Sequence, residues 1–149
     1  MPGRVRRPLE RSSLIKELTD QKEPFSSMAA VMVFAAALGY SKGRRTEFAK
    51  TDEEIPWDVF VNAGAEPFVS MLAAVGSEDK DILAQDRDDD RVRIFEEYAC
   101  GGLEIIGERL EGDHRAPLDR LLELALEVER RDDGAGDIDL EAIAADLSI

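Results

Sequence analysis

The chain has 149 residues, a formal net charge of -14 at pH 7 and one cysteine. A chain of this length most simply forms a single domain. With Cys100 as the only cysteine, an intramolecular disulfide is ruled out. The longest apolar run, Met28 to Leu38, is far shorter than the ~20 residues that span a bilayer. The composition therefore predicts a cytoplasmic protein with no membrane segment, in which this run forms a buried helix.

Charge is distributed unevenly along the chain. Residues 1–50 contain ten Lys/Arg and five Asp/Glu, whereas residues 51–149 contain nine Lys/Arg and 28 Asp/Glu. Such asymmetry indicates a surface suited to a charged partner. The alternative is that the acidic residues simply solvate exposed helix faces and keep the protein soluble.

The N-terminal part divides into an arm and two helices. Residues 1–11 are predicted to be a flexible basic arm, and the domain is predicted to occupy residues 12–131. A first helix carries Leu14, Ile15 and Leu18 on one stripe. A second begins near Ser26 or Ser27 and ends at Leu38, with Gly39 as a left-handed C-terminal residue.

The rest of the domain is predicted to be helical around one long irregular loop at about residues 40–56. Short helices are expected near Trp57 and from Pro67 to Gly76, and a weak one over residues 78–85. A long helix is expected from about Asp89 to Leu110, and Pro117 opens another. The fold class is all-α, a compact bundle of about five to seven helices.

Residues 132–149 form an acidic hinge followed by an amphipathic tail. The stretch RRDDGAGD is rich in Gly and Asp, and Leu140, Ile143 and Leu147 recur at helical spacing after it. The tail is expected either to pack on its own domain or to dock elsewhere.

No catalytic residue, metal site or cofactor is predicted. His114 and Cys100 are too few for a tetrahedral His/Cys zinc site, and no nucleophile motif surrounds either one. The stretch DRDDDRVRIFEE has acidic residues at calcium-loop spacing, but Arg91 stands where a glycine must make the turn. It is better explained as an acidic helix start.

An enzymatic alternative uses Glu96, Glu97 and Glu104 around a divalent metal, because carboxylates suit Mg²⁺ or Mn²⁺. Glu97 and Glu104 are seven residues apart and share a helical face, whereas Glu96 points elsewhere. The sequence supplies no second element that would converge on them.

Gly101 and Gly102 lie inside the long predicted helix, where each costs about 1 kcal/mol relative to Ala. A run of small residues allows another backbone to approach closely. Packing of a neighbouring helix is the favoured explanation, and contact with a partner protein is the alternative.

Basic side chains on the predicted arm and loop are the remaining candidate site. Arginine forks suit phosphate oxygens, and Tyr40 could add stacking or a hydrogen bond. The alternative is that these side chains pair with the chain's own acidic helices or with those of a second copy. The candidate residues for DNA or partner binding are Arg4, Arg6, Arg7, Arg11, Tyr40, Lys42, Arg44, Arg45 and Lys50.

Two motifs, VFAAALGYSKGRR and RIFEEYACGGLEII, resemble those of Dnd-system-associated accessory proteins, a family found beside DNA phosphorothioation genes. The resemblance covers about Arg6 to Leu126, with the hinge and tail outside it, and Cys100 stands where the family pattern suggests Asn. It implies an accessory role in a prokaryotic system that places sulfur in the DNA backbone and restricts unmarked DNA. It implies no catalytic residue.

Two functional hypotheses follow. The first is a non-enzymatic accessory factor of such a defence system that binds duplex DNA, or a DNA-bound partner, through its basic N-terminal third. The second is an acidic protein–protein adaptor or DNA-mimicking regulator without direct DNA contact. Under both hypotheses the partners are proteins of the phosphorothioation system, and both allow the protein to form a homo-oligomer.

Overall fold

A computed structural model of the chain describes residues 3–20, 24–111 and 117–131. Within these residues six α-helices and one two-stranded sheet are present, which confirms the all-α helical bundle. The elements are β1 (Arg4–Val5), α1 (Ser12–Thr19), α2 (Met28–Ser41), β2 (Ile55–Pro56), α3 (Trp57–Asn62), α4 (Glu66–Gly76), α5 (Asp88–Leu110) and α6 (Pro117–Arg131). The predicted tail, the hinge and His114 lie outside the described residues.

Helix α2 is the centre of the core. The Ser27 side chain caps it by accepting a hydrogen bond from the Ala30 amide at 3.1 Å. Of the two predicted cap residues, Ser26 and Ser27, the second therefore has this role. Every residue from Ala29 to Gly39 is buried, because the helix is apolar on all sides and is enclosed by the other elements.

Gly39 does not end α2 as predicted. The helix continues to Ser41, and the left-handed residue is Gly43, with φ of 69°. Gly39 is instead a point of close approach, where an added Cβ would overlap the carbonyl oxygen of Tyr98 on α5. The local sequence around Gly39 does not indicate this contact, because Tyr98 lies far along the chain.

Gly101 and Gly102 lie where α5 meets two other parts of the backbone. A Cβ at Gly102 would overlap the carbonyl oxygen of Ala35 on α2, and one at Gly101 would overlap the carbonyl oxygen of Arg44. The absence of side chains at these two positions lets α2 and the chain that follows it lie directly against α5.

Residues 4–11, predicted to be a flexible arm, pack against the domain. Val5 is fully buried and pairs with Ile55 in the antiparallel sheet. The Leu9 amide donates to the Lys50 carbonyl at 2.9 Å. The segment joining α2 to α3 thus supplies the backbone partners that hold the N-terminal residues.

The region between α4 and α5 differs from the weak helix predicted there. Residues 80–83 form a turn, which is followed by a short 3-10 helix, Gln85–Arg87. Ile82 anchors this region by packing against Ala73 and Ile94. None of the helices among the described residues is both long and apolar enough to cross a membrane.

Candidate functional site: the basic residues and their acidic partners

The chain leaving α2 crosses α5 after a turn, without regular secondary structure. The Arg44 amide donates to the Gly39 carbonyl at 2.8 Å, and the Thr46 amide donates to the Glu97 carbonyl at 3.0 Å. Together with the close approach at Gly101, these bonds fix the crossing. The side chains of residues 44–46 are therefore held over the polar edge of α5.

Two acidic residues of α5 bind the side chains of Arg45 and Thr46. Arg45 Nε lies 2.7 Å from Glu97 Oε1, and the Thr46 hydroxyl donates to Glu104. The Arg45 guanidinium also lies over the Tyr98 ring, 5.6 Å from its centroid. Since the Glu97 side chain is only 8% exposed, Arg45 is the partner that compensates a nearly buried carboxylate.

Arg44 and Lys42 reach towards the far end of α5 and towards α6. Arg44 Nη1 lies 2.9 Å from Glu108 Oε1, and Lys42 Nζ lies 3.7 Å from Glu127 Oε1. Glu127 also accepts two hydrogen bonds from Arg109, at 2.6 and 2.8 Å, which lower the pKa of its carboxyl. These ion pairs tie α2, α5 and α6 together.

Arg6 pairs with the buried Glu96 on α5. Its backbone amide donates to Glu96 Oε2 at 2.6 Å and its Nε donates to Oε1 at 2.9 Å. Burial raises the pKa of Glu96, while the two bonds from Arg6 act in the opposite direction. The Arg6 guanidinium also lies 4.8 Å from the centre of the Phe48 ring.

Arg7 is a buried residue with only 3% of its surface exposed. Its Nε donates to the Glu53 carbonyl at 2.6 Å, and its Nη2 lies 3.7 Å from Asp52 Oδ2. Asp52 also accepts from the Ser12 hydroxyl, and this bond contributes most to lowering the pKa of its carboxyl. Arg7 therefore joins the N-terminal segment to residues 52–53.

The other nominated cations lie in two separate clefts. Arg4, with Arg6, lines an open cleft of about 560 Å³ beside Glu54 and Glu96. Arg11 and Lys50 line another, of about 300 Å³, beside Glu104. Within the described ranges no ion pair is recorded for Arg4, Arg11 or Lys50.

Tyr40 is half-buried and packs edge-on against Tyr98, with ring centroids 5.6 Å apart. The nine nominated residues are thus divided among two clefts, a buried position and the seams between helices. The acidic partners Glu96, Glu97, Glu108 and Glu127 were not predicted as such. For two of them the sequence does carry an indication of burial, because Glu96 and Glu97 lie among apolar residues of the long helix.

The carboxylates proposed for a metal do not converge on one point. Glu96, Glu97 and Glu104 each bind a different side chain, Arg6, Arg45 or Thr46. In the part of the chain that the structure describes, no group of three or more His, Cys, Asp or Glu side chains is placed to hold a metal ion. Burial, followed by the Glu104 charge, raises the pKa of Cys100 to about 11, so its thiol is a poor nucleophile.

A protein-family model matches most of the chain. The family model described as DNA sulphur modification system-associated protein 4 matches residues 4–143. The chain belongs to this family, as the two motifs predicted. The match extends beyond the expected limit near Leu126, so the hinge and the first part of the tail lie inside it. The comparisons with curated proteins and with solved structures each gave no significant match.

Proposed function

We propose that the chain is a non-enzymatic accessory protein of a DNA sulphur modification system, and that it acts through protein contacts. The family description supports the association with such a system. The observation that carries the proposal is that most of the nominated cations bind acidic groups of the same chain. These cations are Arg6, Arg7, Lys42, Arg44 and Arg45.

Because some of the acidic partners are buried, replacing these ion pairs by contacts with DNA phosphates would be unfavourable. An exposed ion pair contributes only about 0–1 kcal/mol to stability, so breaking the Arg44–Glu108 pair would lose little free energy. Arg6 and Arg45, however, compensate Glu96 and Glu97, whose side chains are 4% and 8% exposed. Moving either arginine to DNA would leave a buried carboxylate without its counter-charge, which is strongly unfavourable.

The overall charge acts in the same direction. A net charge of -14 repels the DNA backbone unless a contiguous basic face is presented to it. The nominated cations are instead interleaved with acidic side chains. Their arrangement therefore supports the protein–protein alternative over direct recognition of duplex DNA.

A non-enzymatic role is supported by the separation of the potential catalytic groups. Glu96, Glu97 and Glu104 bind different partners, and the Cys100 thiol is buried with a raised pKa. General acid–base or metal-assisted chemistry needs such groups to converge on one reacting atom.

Direct DNA binding is the second candidate, and the exposed Arg4 and Lys50 are the observation that favours it. Fluorescence anisotropy of the full chain with duplex DNA, with and without phosphorothioate linkages, tests it across a salt series. We expect no salt-sensitive binding to either duplex.

Binding that weakens steeply with salt, and is lost in the single variants Arg4→Glu and Lys50→Glu but retained in Lys80→Glu, would contradict the proposal. Lys80 is also exposed, on the turn after α4. Its reversal therefore controls for a general change in net charge.

A further inference from the structure

An open cleft of about 560 Å³ lies where the N-terminal segment meets the first turns of α5. This volume is within the range of protein ligand sites, about 300–1,000 Å³. The strands and their neighbours contribute Arg4, Arg6 and Glu54, and α5 contributes Asp89, Arg93 and Glu96. Of these six side chains, Arg6 and Glu96 bind each other.

One edge of strand β1 is open along this cleft. The Gly3 carbonyl accepts a hydrogen bond from the Trp57 amide, next to β2, at 3.1 Å. Because hydrogen bonding alternates along an antiparallel strand, the backbone groups of Arg4 and Arg6 point to the opposite side. The Arg6 amide agrees with this, since it donates to Glu96 on α5. The amide and carbonyl of Arg4 therefore form a strand edge that faces away from β2.

Two arginines of the cleft are available to a ligand. Arg4 and Arg93 are exposed, and no ion pair of either is recorded within residues 3–20, 24–111 and 117–131. They lie on different elements, the first on β1 and the second on α5. Guanidinium forks match the geometry of a carboxylate, so both arginines suit an acidic ligand.

The acidic residues of the cleft already have compensation. Glu96 accepts two hydrogen bonds from Arg6. The register of the two strands, continued by one position, places Glu54 opposite Arg6 as well. Asp89 lies in the first turn of α5, where the helix dipole stabilises a negative charge. The cleft therefore has equal numbers of acidic and basic side chains, but its uncompensated charges are positive.

We propose that this cleft binds an extended acidic segment of a partner protein. The backbone of the segment pairs with the open edge at Arg4, and its carboxylates bind Arg4 and Arg93. Addition of a strand to a sheet edge is a recurring mode of peptide recognition, in which the backbone gives affinity and the side chains give specificity. The inference rests on the proposed role in protein contacts and gives that role a place and a chemistry.

Peptide binding to the full chain, measured by fluorescence anisotropy, tests the inference. The probes are overlapping peptides of about ten residues, the upper end of strand length, from the proteins encoded with the same DNA sulphur modification system. We expect acidic peptides to bind. Arg4→Pro and Arg93→Gln should each weaken that binding about tenfold, because each removes charge-assisted hydrogen bonds.

The variants are chosen to leave the fold intact. Proline is compatible with a strand edge whose amide faces away from the neighbouring strand, so Arg4→Pro removes the outward amide and the guanidinium together. Lys80→Gln is the control, because it neutralises an exposed cation on the turn after α4, outside the cleft. It should bind the same peptides as the unaltered chain does.

Hydrogen exchange at the Arg4 amide tests the backbone pairing separately. A saturating acidic peptide should slow this exchange about tenfold, because the amide then donates to the peptide. Unchanged exchange at Arg4 in the presence of a bound peptide would contradict strand addition.

The failure of this inference is distinguishable from that of the proposed function. No binding by any acidic peptide, or equal binding by the unaltered chain and both variants, would overturn the inference. If proteins of the system still co-purify with Arg93→Gln as they do with the unaltered chain, the proposed function holds and the cleft is not the contact. Binding of duplex DNA that is lost in both variants would instead assign the cleft to phosphate groups.

Discussion

Gly102→Ala is expected to lower the free energy of unfolding by about 3 kcal/mol, the upper end of the cost of overpacking a core. The new methyl group would overlap the carbonyl oxygen of Ala35. Backbone cannot rotate aside as a side chain can, so α2 and α5 would have to separate. This loss exceeds the gain of about 1 kcal/mol that alanine normally brings to a helix interior.

Gly107→Ala is the matched control for this effect, since it makes the same change on the same helix. A Cβ at Gly107 would lie 3.4 Å from Arg11 Nη1 and 3.7 Å from Leu14 Cδ2, which is ordinary packing. We expect Gly107→Ala to raise stability by up to about 1 kcal/mol. Denaturant unfolding of both variants measures the difference, and equal effects would show that the α2–α5 contact is not so close.

Arg7→Ala is expected to destabilise the protein by about 3 kcal/mol, as truncation of a large buried side chain does, because Arg7 is only 3% exposed. The substitution removes the hydrogen bond to the Glu53 carbonyl, at 2.6 Å, and the counter-charge of Asp52. It also empties the space filled by a side chain in the core. The N-terminal segment and residues 52–53 would lose their connection.

Arg4→Ala controls for the loss of one positive charge from the same segment. The Arg4 side chain is exposed, so its removal should change stability by no more than about 0.5 kcal/mol. Thermal or denaturant unfolding distinguishes the two variants. Similar stability for both would mean that Arg7 serves a surface role, as first predicted, rather than a structural one.

The fold was largely predictable because its signals are local. The all-round apolar run of α2, the Ser27 cap, Pro117 at the start of α6 and the periodic stripe of α5 each specify a helix without reference to the rest of the chain. The role of Gly39 was not predictable in this way. It depends on Tyr98, far away in sequence, and only the packed structure brings the two together.

The candidate site was predictable in composition but not in arrangement. The sequence shows that Lys42, Arg44 and Arg45 follow a buried helix, yet the helix faces that they meet are set by how α2 crosses α5. Gly101 and Gly102 indicate a close approach on α5, but the sequence does not identify Ala35 and Arg44 as the residues that lie against them. The ion pairs to Glu97 and Glu108 are long-range consequences of that crossing.

Purification of the tagged full chain from cells that carry a DNA sulphur modification system, with and without nuclease treatment of the lysate, tests the proposed role most directly. We expect proteins of that system to remain bound after nuclease digestion, because the contacts are between proteins. Their release by nuclease would show that DNA connects them, and failure to recover them in either lysate would contradict a protein-mediated role.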